Sequence, residues 1–323
     1  MTTISSTVLP SNQSWPLEDN NWTSWDTILR SITSSLGALG NLVVLLVLFP
    51  KRSFSRSTDT LIGSLAVADF LTSLLLLPFP RPRTVPLNWL GVLYCWMLYS
   101  YSLIWICITA SIYILLFICF DRYIAIACPL KYNIYITKRR VRLGVGVIWM
   151  WSLINLWNDY RFKIDQTNQE CIAEDLSEFT RIFTGSLNFI FLYAIPVMTM
   201  LITQILSART LLRQSLRFAA TTHSKPSYHL AARRRVLRMT AIVVATFIIT
   251  IGPNQFAYFC YNLGVMPEWF YLGTLHRFTV VLASFNSCLN AFIYACQNKR
   301  FRQGVRDIWT KSDTTRAPIF GHI

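Results

Sequence analysis

Seven long apolar stretches constrain the fold of this chain more than any other feature of its sequence. The hydrocarbon core of a bilayer is about 30 Å thick and requires about 20 mostly apolar residues in a helix. The predicted spans are residues 27–49, 61–78, 89–127, 143–157, 179–206, 236–263 and 269–296. The pattern predicts an all-α membrane protein, a seven-transmembrane helix bundle, whose third and fifth spans tilt or project beyond the bilayer.

The composition excludes two other classes of protein. Only 14% of the 323 residues are charged, whereas 53% are hydrophobic. A soluble domain carries about 25% charged residues, so the chain lacks the polar surface of a soluble enzyme. Aromatic residues make up 14%, which argues against intrinsic disorder.

The distribution of charge predicts the orientation in the membrane. Glycosylation sequons at Asn12 and Asn21 favour an extracellular N-terminus, and seven spans then place the C-terminus in the cytoplasm. Of the 30 Lys and Arg residues, 23 lie on predicted inner segments; of the 15 Asp and Glu residues, 10 lie on outer segments, 4 on inner segments and Asp69 within a span. This is the bias of the positive-inside rule. The net charge of +15 therefore indicates topology, and no nucleic-acid partner is predicted.

The inner end of the third span carries the most informative motif. Asp121, Arg122 and Tyr123 are followed by Pro129-Leu130 and Tyr132, and this string resembles the DRY motif of rhodopsin-like (class A) G-protein-coupled receptors. Further landmarks follow in the family's order on the remaining spans: Gly40-Asn41, Leu65-Ala66-Val67-Ala68-Asp69, Trp149, Pro196, Pro253 and Leu289-Asn290-Ala291-Phe292-Ile293-Tyr294. Together they cover nearly the whole chain.

The resemblance implies a multi-pass plasma-membrane receptor without enzymatic activity. Residues 1–26 would form an extracellular N-terminus, residues 27–298 the seven-transmembrane receptor domain, and residues 299–323 an amphipathic helix and a short cytoplasmic tail. The receptor would transduce an extracellular diffusible ligand, a peptide or a small molecule, into activation of a heterotrimeric G protein. The lipid bilayer and arrestin are further implied partners.

The resemblance also implies which residues couple the receptor to the G protein. Asp121, Arg122 and Tyr123 form the inner motif, in which Arg122 pairs with Asp121 until activation moves it into a crevice for the G protein. Further activation residues are Phe247 and Pro253 in span six and Asn290 and Tyr294 in span seven. This chain departs from the pattern at Thr250-Ile251-Gly252-Pro253, at Ala291 and at Gln204, so the usual Trp, Pro and Tyr of the family are absent.

A second departure concerns the inner end of span six. Residues Arg233, Arg234 and Arg235 replace the family's frequent acidic partner, and they would repel Arg122. We therefore expect no interhelical ion pair here, and elevated basal activity is a hypothesis.

Asp69 is the acid deepest in a span, where a charged group is expensive and usually functional. The resemblance implies a sodium site of Asp69, Ser111, Asn286 and Asn290, braced by Asn41. The alternative is a protonated Asp69 that hydrogen-bonds to neighbouring helices. No other cofactor is expected.

The resemblance also predicts the extracellular features. Cys95 and Cys171 would form a disulfide that ties the second outer loop over the bundle; Cys95 lies about two residues farther out than usual, which indicates a helix irregularity. Residues predicted to face the ligand are Tyr99, Tyr101, Ile104, Trp105, Phe256, Tyr258, Phe270 and His276. The sequence between Cys95 and Cys119 contains no acid to pair with an amine ligand, and span seven contains no Lys for retinal.

The sequence is compatible with two alternative functions. The motif losses are consistent with a divergent receptor-like protein that couples weakly or not at all to a G protein. A seven-helix transporter is the other alternative, although such proteins usually carry several intramembrane carboxylates. The stretch 299–309, with Phe301, Val305, Ile308 and Trp309 at helical spacing, predicts a helix on the inner leaflet.

Overall fold

A computed structural model describes residues 24–48, 57–79, 82, 84–154, 162–173, 176–221, 228–266, 273–297, 302, 305 and 306, without the side chains of 218–221, 228–230, 232 and 294–297. The helices are α1 (Trp25–Leu48), α2 (Ser57–Leu75), α3 (Trp89–Tyr94), α4 (Ser102–Ala127), α5 (Tyr132–Tyr135), α6 (Lys138–Ile154), α7 (Glu178–Phe189), α8 (Ile195–Thr221), α9 (Tyr228–Asn262) and α10 (Thr274–Gln297). The sequons at Asn12 and Asn21 and most of the predicted tail helix lie outside the described residues.

The long helices form a closed bundle with α4 near its centre. Within the part of the chain that the structure describes, five helical stretches are long and apolar enough to cross a membrane: Trp25–Leu48, Ser57–Leu75, Ser102–Ala127, Glu178–Arg217 and Arg233–Asn262. Two further helices complete the bundle, because α6 packs on α2 and α4, and α10 packs between α1 and α9. The predicted seven-helix architecture is confirmed.

The bundle is apolar outside and partly polar inside. Large side chains such as Leu39, Ile249 and Phe292 are more than 60% exposed, whereas a soluble protein would bury most of them. Polar side chains such as Asn41 and Asp69 are instead buried. This distribution suits helices whose outer surface contacts lipid and whose polar groups pair with one another.

The predicted third span, 89–127, is interrupted near its outer end, where the position of Cys95 indicates an irregularity. After α3, a single π-helical turn runs over Cys95–Tyr99, and the Ser100 N–H donates to the Cys95 carbonyl at 3.1 Å. Tyr101 then adopts a left-handed conformation (φ 62°) and α4 begins at Ser102. The π turn is the irregularity that displaces Cys95 along the chain.

A second π turn, Ile190–Ala194, joins α7 to α8 within the fifth span. The Ile195 N–H bonds back to the Ile190 carbonyl, and Pro196 has no N–H. The Phe191 carbonyl therefore has no donor in its own helix, and the Tyr113 hydroxyl of α4 donates to it at 3.0 Å. The proline thus creates a contact between the third and fifth spans.

A two-stranded hairpin covers one side of the outer end of the bundle. Strands β1 (Phe162–Ile164) and β2 (Cys171–Ala173) pair antiparallel. A disulfide joins Cys95 to Cys171, whose Cα atoms are 5.6 Å apart, and the Trp96 indole N–H donates to the Phe162 carbonyl at 2.7 Å. In the hairpin turn, the backbone N–H of Thr167 lowers the pKa of the Asp165 carboxyl, because it stabilises the charged form.

Candidate functional site

The inner motif is a buried hydrogen-bonded group that involves three helices. Asp121 is fully buried at the inner end of α4. Arg122 donates from Nε to Asp121 Oδ2 at 2.9 Å, and its Nη2 contacts both Asp121 and the Thr58 hydroxyl of α2. The Tyr132 hydroxyl of α5 donates to Asp121 Oδ1 at 2.8 Å. Arg122 is therefore held locally, in the arrangement predicted for an inactive receptor; Tyr123 is half-buried beside this group.

The surroundings of Tyr132 favour the protonated form of its phenol. Burial raises the pKa of its phenol, and the negative charge of Asp121 raises it further. The phenol is therefore protonated at neutral pH and serves as a donor. Thr58 also donates to Asp121, at 3.3 Å, so the carboxylate has two neutral donors in addition to Arg122.

The inner ends of α8 and α9 meet through a glutamine. Arg233 donates to Gln214 Oε1 at 2.9 Å, and Gln214 Nε2 donates to the Ile126 carbonyl of α4 at 3.0 Å. Among the described residues, no acidic side chain joins α9 to Arg122. Gln204 lies about three turns deeper than Gln214 on α8, with Nε2 at 3.8 Å from Cys119 Sγ, and its Oε1 is buried without a donor in the described part of the chain.

The residues proposed to transmit motion lie in the central core. Phe247 is fully buried against Tyr193, Met200 and Val243. Pro253 lies within α9. Gly252 allows close contact with the π turn of the fifth span, because a Cβ there would lie 2.5 Å from the Tyr193 hydroxyl. The side chain of Tyr294 lies outside the described residues.

Asp69 is the centre of a buried polar cluster between α2, α4 and α10. Ser111 donates to Asp69 Oδ1 at 2.7 Å and Asn290 Nδ2 donates to Oδ2 at 2.9 Å. Asn290 Oδ1 is buried and has no hydrogen-bond partner in the described chain. Asn41 joins the edge of the cluster by donating to the Ser287 carbonyl at 3.0 Å.

This donor set fits a hard monovalent cation. A carboxylate, a hydroxyl oxygen and an unpaired amide oxygen are the ligands that such ions prefer. The fourth predicted ligand, Asn286, is buried, but its Oδ1 accepts from Thr250 at 3.4 Å, and no hydrogen bond among the described residues joins it to Asp69. The structure thus brings together three of the four predicted ligands.

The predicted ligand-facing residues occupy different environments. Tyr101 is 37% exposed at the helix break, whereas Ile104 is only 7% exposed. Trp105, Tyr258 and His276 are half-buried. Phe256 packs its ring on Phe189 and Tyr193, with centroids 5.0 and 5.5 Å away, so it contacts α7 and the π turn that follows it. Tyr99 packs on Phe162 of the hairpin, and Phe270 lies outside the described residues.

Several buried polar groups near the outer ends were not singled out from the sequence. Asn254 Nδ2 donates to the Thr279 hydroxyl at 3.4 Å, Gln255 is 3% exposed, and Thr33 and Ser284 are hydrogen-bonded at 2.9 Å. The sequence feature that could have indicated these groups is the adjacent pair of amide side chains, Asn254 and Gln255, within an apolar span. Farther out, Asp26 pairs with Arg30 at 3.2 Å and with Arg277 at 3.8 Å, which connects α1 to α10.

Comparisons with known proteins agree with this geometry. The sequence profile described as 7 transmembrane receptor (rhodopsin family) matches residues 40–294. Galanin receptor 2b of Danio rerio is 29% identical over 88% of this chain and 74% of its own length. Galanin receptor type 2 of Homo sapiens is 28% identical over 87% and 72%, and the Homo sapiens histamine H2 receptor is 29% identical over 88% and 79%. From span one through the final tyrosine motif, the chain belongs to the rhodopsin family of seven-transmembrane receptors.

Proposed function

We propose that this chain is a plasma-membrane receptor in which Arg122 transmits the binding of an extracellular ligand to a heterotrimeric G protein. The observation that carries the proposal is the buried group at the inner end of α4, where Arg122 bonds to Asp121 and Thr58. The group lies beside the basic inner ends of the helices, which would face the cytoplasm. The disulfide at the opposite end suits an oxidising extracellular compartment.

Activation would release Arg122 from Asp121 without leaving a buried charge unpaired. Tyr132 and Thr58 both donate to the carboxylate, so Asp121 keeps hydrogen bonds after the guanidinium moves. Gln204, with its unpaired Oε1, offers Arg122 a new acceptor on α8. Ligand and G protein would each favour this second arrangement, so each raises the other's affinity. Arrestin is proposed to use the same inner surface.

We propose a peptide as the ligand. A small cationic ligand would require a carboxylate on the outer half of α4, and the sequence has no acid between Cys95 and Cys119. The buried outer groups that the structure describes on α9 and α10 include neutral amides and hydroxyls, among them Asn254, Gln255 and Thr279. Such groups suit the amide groups of a peptide backbone, because each offers a matched donor or acceptor.

We also propose that sodium binds the Asp69 cluster. Asp69, Ser111 and Asn290 would hold the ion, and Asn286 would join them by exchanging its contact with Thr250. The ion would supply a countercharge for the buried carboxylate and stabilise the contacts among α2, α4 and α10 that Asp69 already makes.

A G-protein dissociation assay across subtypes, with a peptide library and an amine library, tests the proposed function. We expect a peptide to elicit dissociation, and Arg122→Ala to abolish the response at equal surface expression. Arg139→Ala is the matched control, because Arg139 is exposed on the same inner side, at the start of α6. Silence across both libraries would favour a receptor-like scaffold, and a response to amines alone would contradict the peptide assignment.

A further inference from the structure

A groove lies between α8 and α9 near their inner ends. Its volume is about 380 Å³, which is far more than the roughly 30 Å³ of one water molecule. Ala208 of α8 and Ala241 of α9 both line it, and their short side chains leave the two helices unfilled at this level. Ile205 and Leu237 provide additional apolar wall.

Two arginines lie along the same groove. Arg234 and Arg238 are one helical turn apart, so they project from one face of α9, and both line the groove and are exposed. Neither has a hydrogen bond or ion pair to any other residue that the structure describes. Two exposed guanidinium groups next to an apolar wall match the chemistry of an anion attached to a hydrocarbon.

Gln204 shows how far the groove extends into the bundle. It lines the deep end of the groove and contacts Cys119 Sγ, which is one turn outward from Arg122. The groove therefore runs from the level of the inner motif into the apolar part of the bundle. The two guanidinium groups lie toward the inner end of α9, where the headgroups of the inner leaflet would be found.

We propose that this groove binds an anionic phospholipid of the inner leaflet. Arg234 and Arg238 bind the phosphate, because guanidinium groups match phosphate oxygens in geometry and charge. The acyl chain lies along Ile205, Leu237 and the two alanines. The cytoplasmic leaflet is rich in anionic lipid, so the ligand is present wherever the receptor is. Because one lipid contacts both walls, it also stabilises the packing of the inner end of α9 on α8.

A G-protein segment fits this groove less well. The lining residues come from α8 and α9 alone, whereas the Arg122 side chain bonds toward α2 and α4. A phosphate ion from solution would leave the apolar walls uncovered. Binding of a G-protein segment or of a free phosphate ion in this groove, in place of a lipid, would overturn the proposal.

Native mass spectrometry of the full-length chain, released from nanodiscs of phosphatidylcholine with a low fraction of phosphatidylserine, tests the arginines. We expect phosphatidylserine to be retained in preference to phosphatidylcholine. Arg234→Ala/Arg238→Ala should lower its apparent affinity roughly 30-fold. The matched control is Arg139→Ala/Arg142→Ala, which removes the same charge from exposed positions on α6 and should leave retention close to that of the unmodified chain. Equal losses in both variants would indicate diffuse attraction and overturn the proposal.

A second variant keeps both arginines and fills the groove. Ala208→Leu/Ala241→Leu should reduce phosphatidylserine retention as strongly, while the thermal stability in detergent stays within a few degrees of the unmodified chain. Competition with millimolar inorganic phosphate should not displace the lipid. Full retention in the leucine variant, displacement by phosphate, or a loss of G-protein binding in the alanine variant with lipid retention unchanged would each overturn the proposal.

Discussion

Single buried polar side chains hold this receptor in one arrangement. Asp69 shows this most directly, because it accepts hydrogen bonds from α4 and α10 at once. At the inner end, Asp121 of α4 likewise accepts hydrogen bonds from two other helices, from Tyr132 of α5 and from Thr58 of α2. In an apolar environment a lost partner leaves a costly unpaired group, so these residues determine which helix positions are compatible.

The sodium proposal makes a prediction for Asp69. Thermal unfolding of the unmodified chain should shift to higher temperature when choline chloride is replaced by sodium chloride at equal ionic strength. Asp69→Asn removes the charge while retaining the side-chain shape, so its unfolding temperature should not respond to sodium. Thr72→Ser, one turn away on α2 and hydrogen-bonded to its own helix, is the control and should respond normally. An equal sodium shift in Asp69→Asn would refute the site.

Gln204 carries a second prediction at the residue scale. Its unpaired Oε1 is proposed to accept from Arg122 in the active arrangement, and a hydrogen bond to a charged group is worth about 1.5–3 kcal/mol. Gln204→Leu should therefore weaken G-protein activation about tenfold or more, measured as nucleotide exchange at equal receptor density. Ile205→Leu serves as the neighbouring control. Undiminished exchange in Gln204→Leu would show that Arg122 does not use this acceptor.

Elements pack closely in this bundle where glycine lies opposite an aromatic ring. A Cβ at Gly252 would lie 2.5 Å from the Tyr193 hydroxyl and 3.2 Å from its Cζ. Gly252→Ala should cost about 1–3 kcal/mol and lower the thermal midpoint by a few degrees. Tyr193→Phe removes the clashing oxygen, so the double variant should recover part of the loss.

Gly146 provides the control for this experiment. It also lies in a helix, α6, but nothing lies within 4 Å of the position a Cβ would take. Gly146→Ala should be neutral or slightly stabilising, since alanine favours the helix. If Gly252→Ala behaved in the same way, the close contact between α9 and the π turn at Ile190–Ala194 would not exist as described.

The helix bounds show how far the sequence predicts the elements. The first two spans, predicted as 27–49 and 61–78, correspond to Trp25–Leu48 and Ser57–Leu75. The fifth was predicted to end at residue 206, whereas α8 continues to Thr221. Hydropathy detects only the segment within the membrane, while a helix with Arg209, Arg213 and Arg217 at its polar end can extend into water.

The position of Cys95 indicates that the third span is irregular, but the form of the irregular segments could not be predicted from the sequence. Tyr101 has φ 62°, a conformation that glycine or asparagine would have indicated and that a tyrosine does not. The hydrogen bond from the Tyr113 hydroxyl to the Phe191 carbonyl in the π turn joins two elements that are distant in the sequence, and so does the Asn254–Thr279 contact. By contrast, the inner motif and the Cys95–Cys171 bridge were identified by resemblance to a known family.

At the scale of the whole molecule, charge separates the two ends of the bundle. Arg235 is exposed at the inner end of α9, in a run of three arginines and near no described acid that pairs with it. We expect Arg235→Glu to lower ligand-free signalling, because an acid there attracts α9 toward Arg122. Arg235→Ala removes the positive charge alone and should lower it less. Basal signalling that is unchanged in Arg235→Glu would count against the hypothesis of elevated basal activity.

The central claim is that Arg122 of this chain couples the bundle to a G protein. The most direct measurement is nucleotide exchange on purified G proteins by the ligand-free chain in nanodiscs. We predict exchange above that of empty nanodiscs for at least one G-protein subtype, its loss in Arg122→Ala, and its retention in Arg139→Ala. Exchange that is equal in the unmodified chain and in Arg122→Ala, or absent with every subtype, would contradict this account.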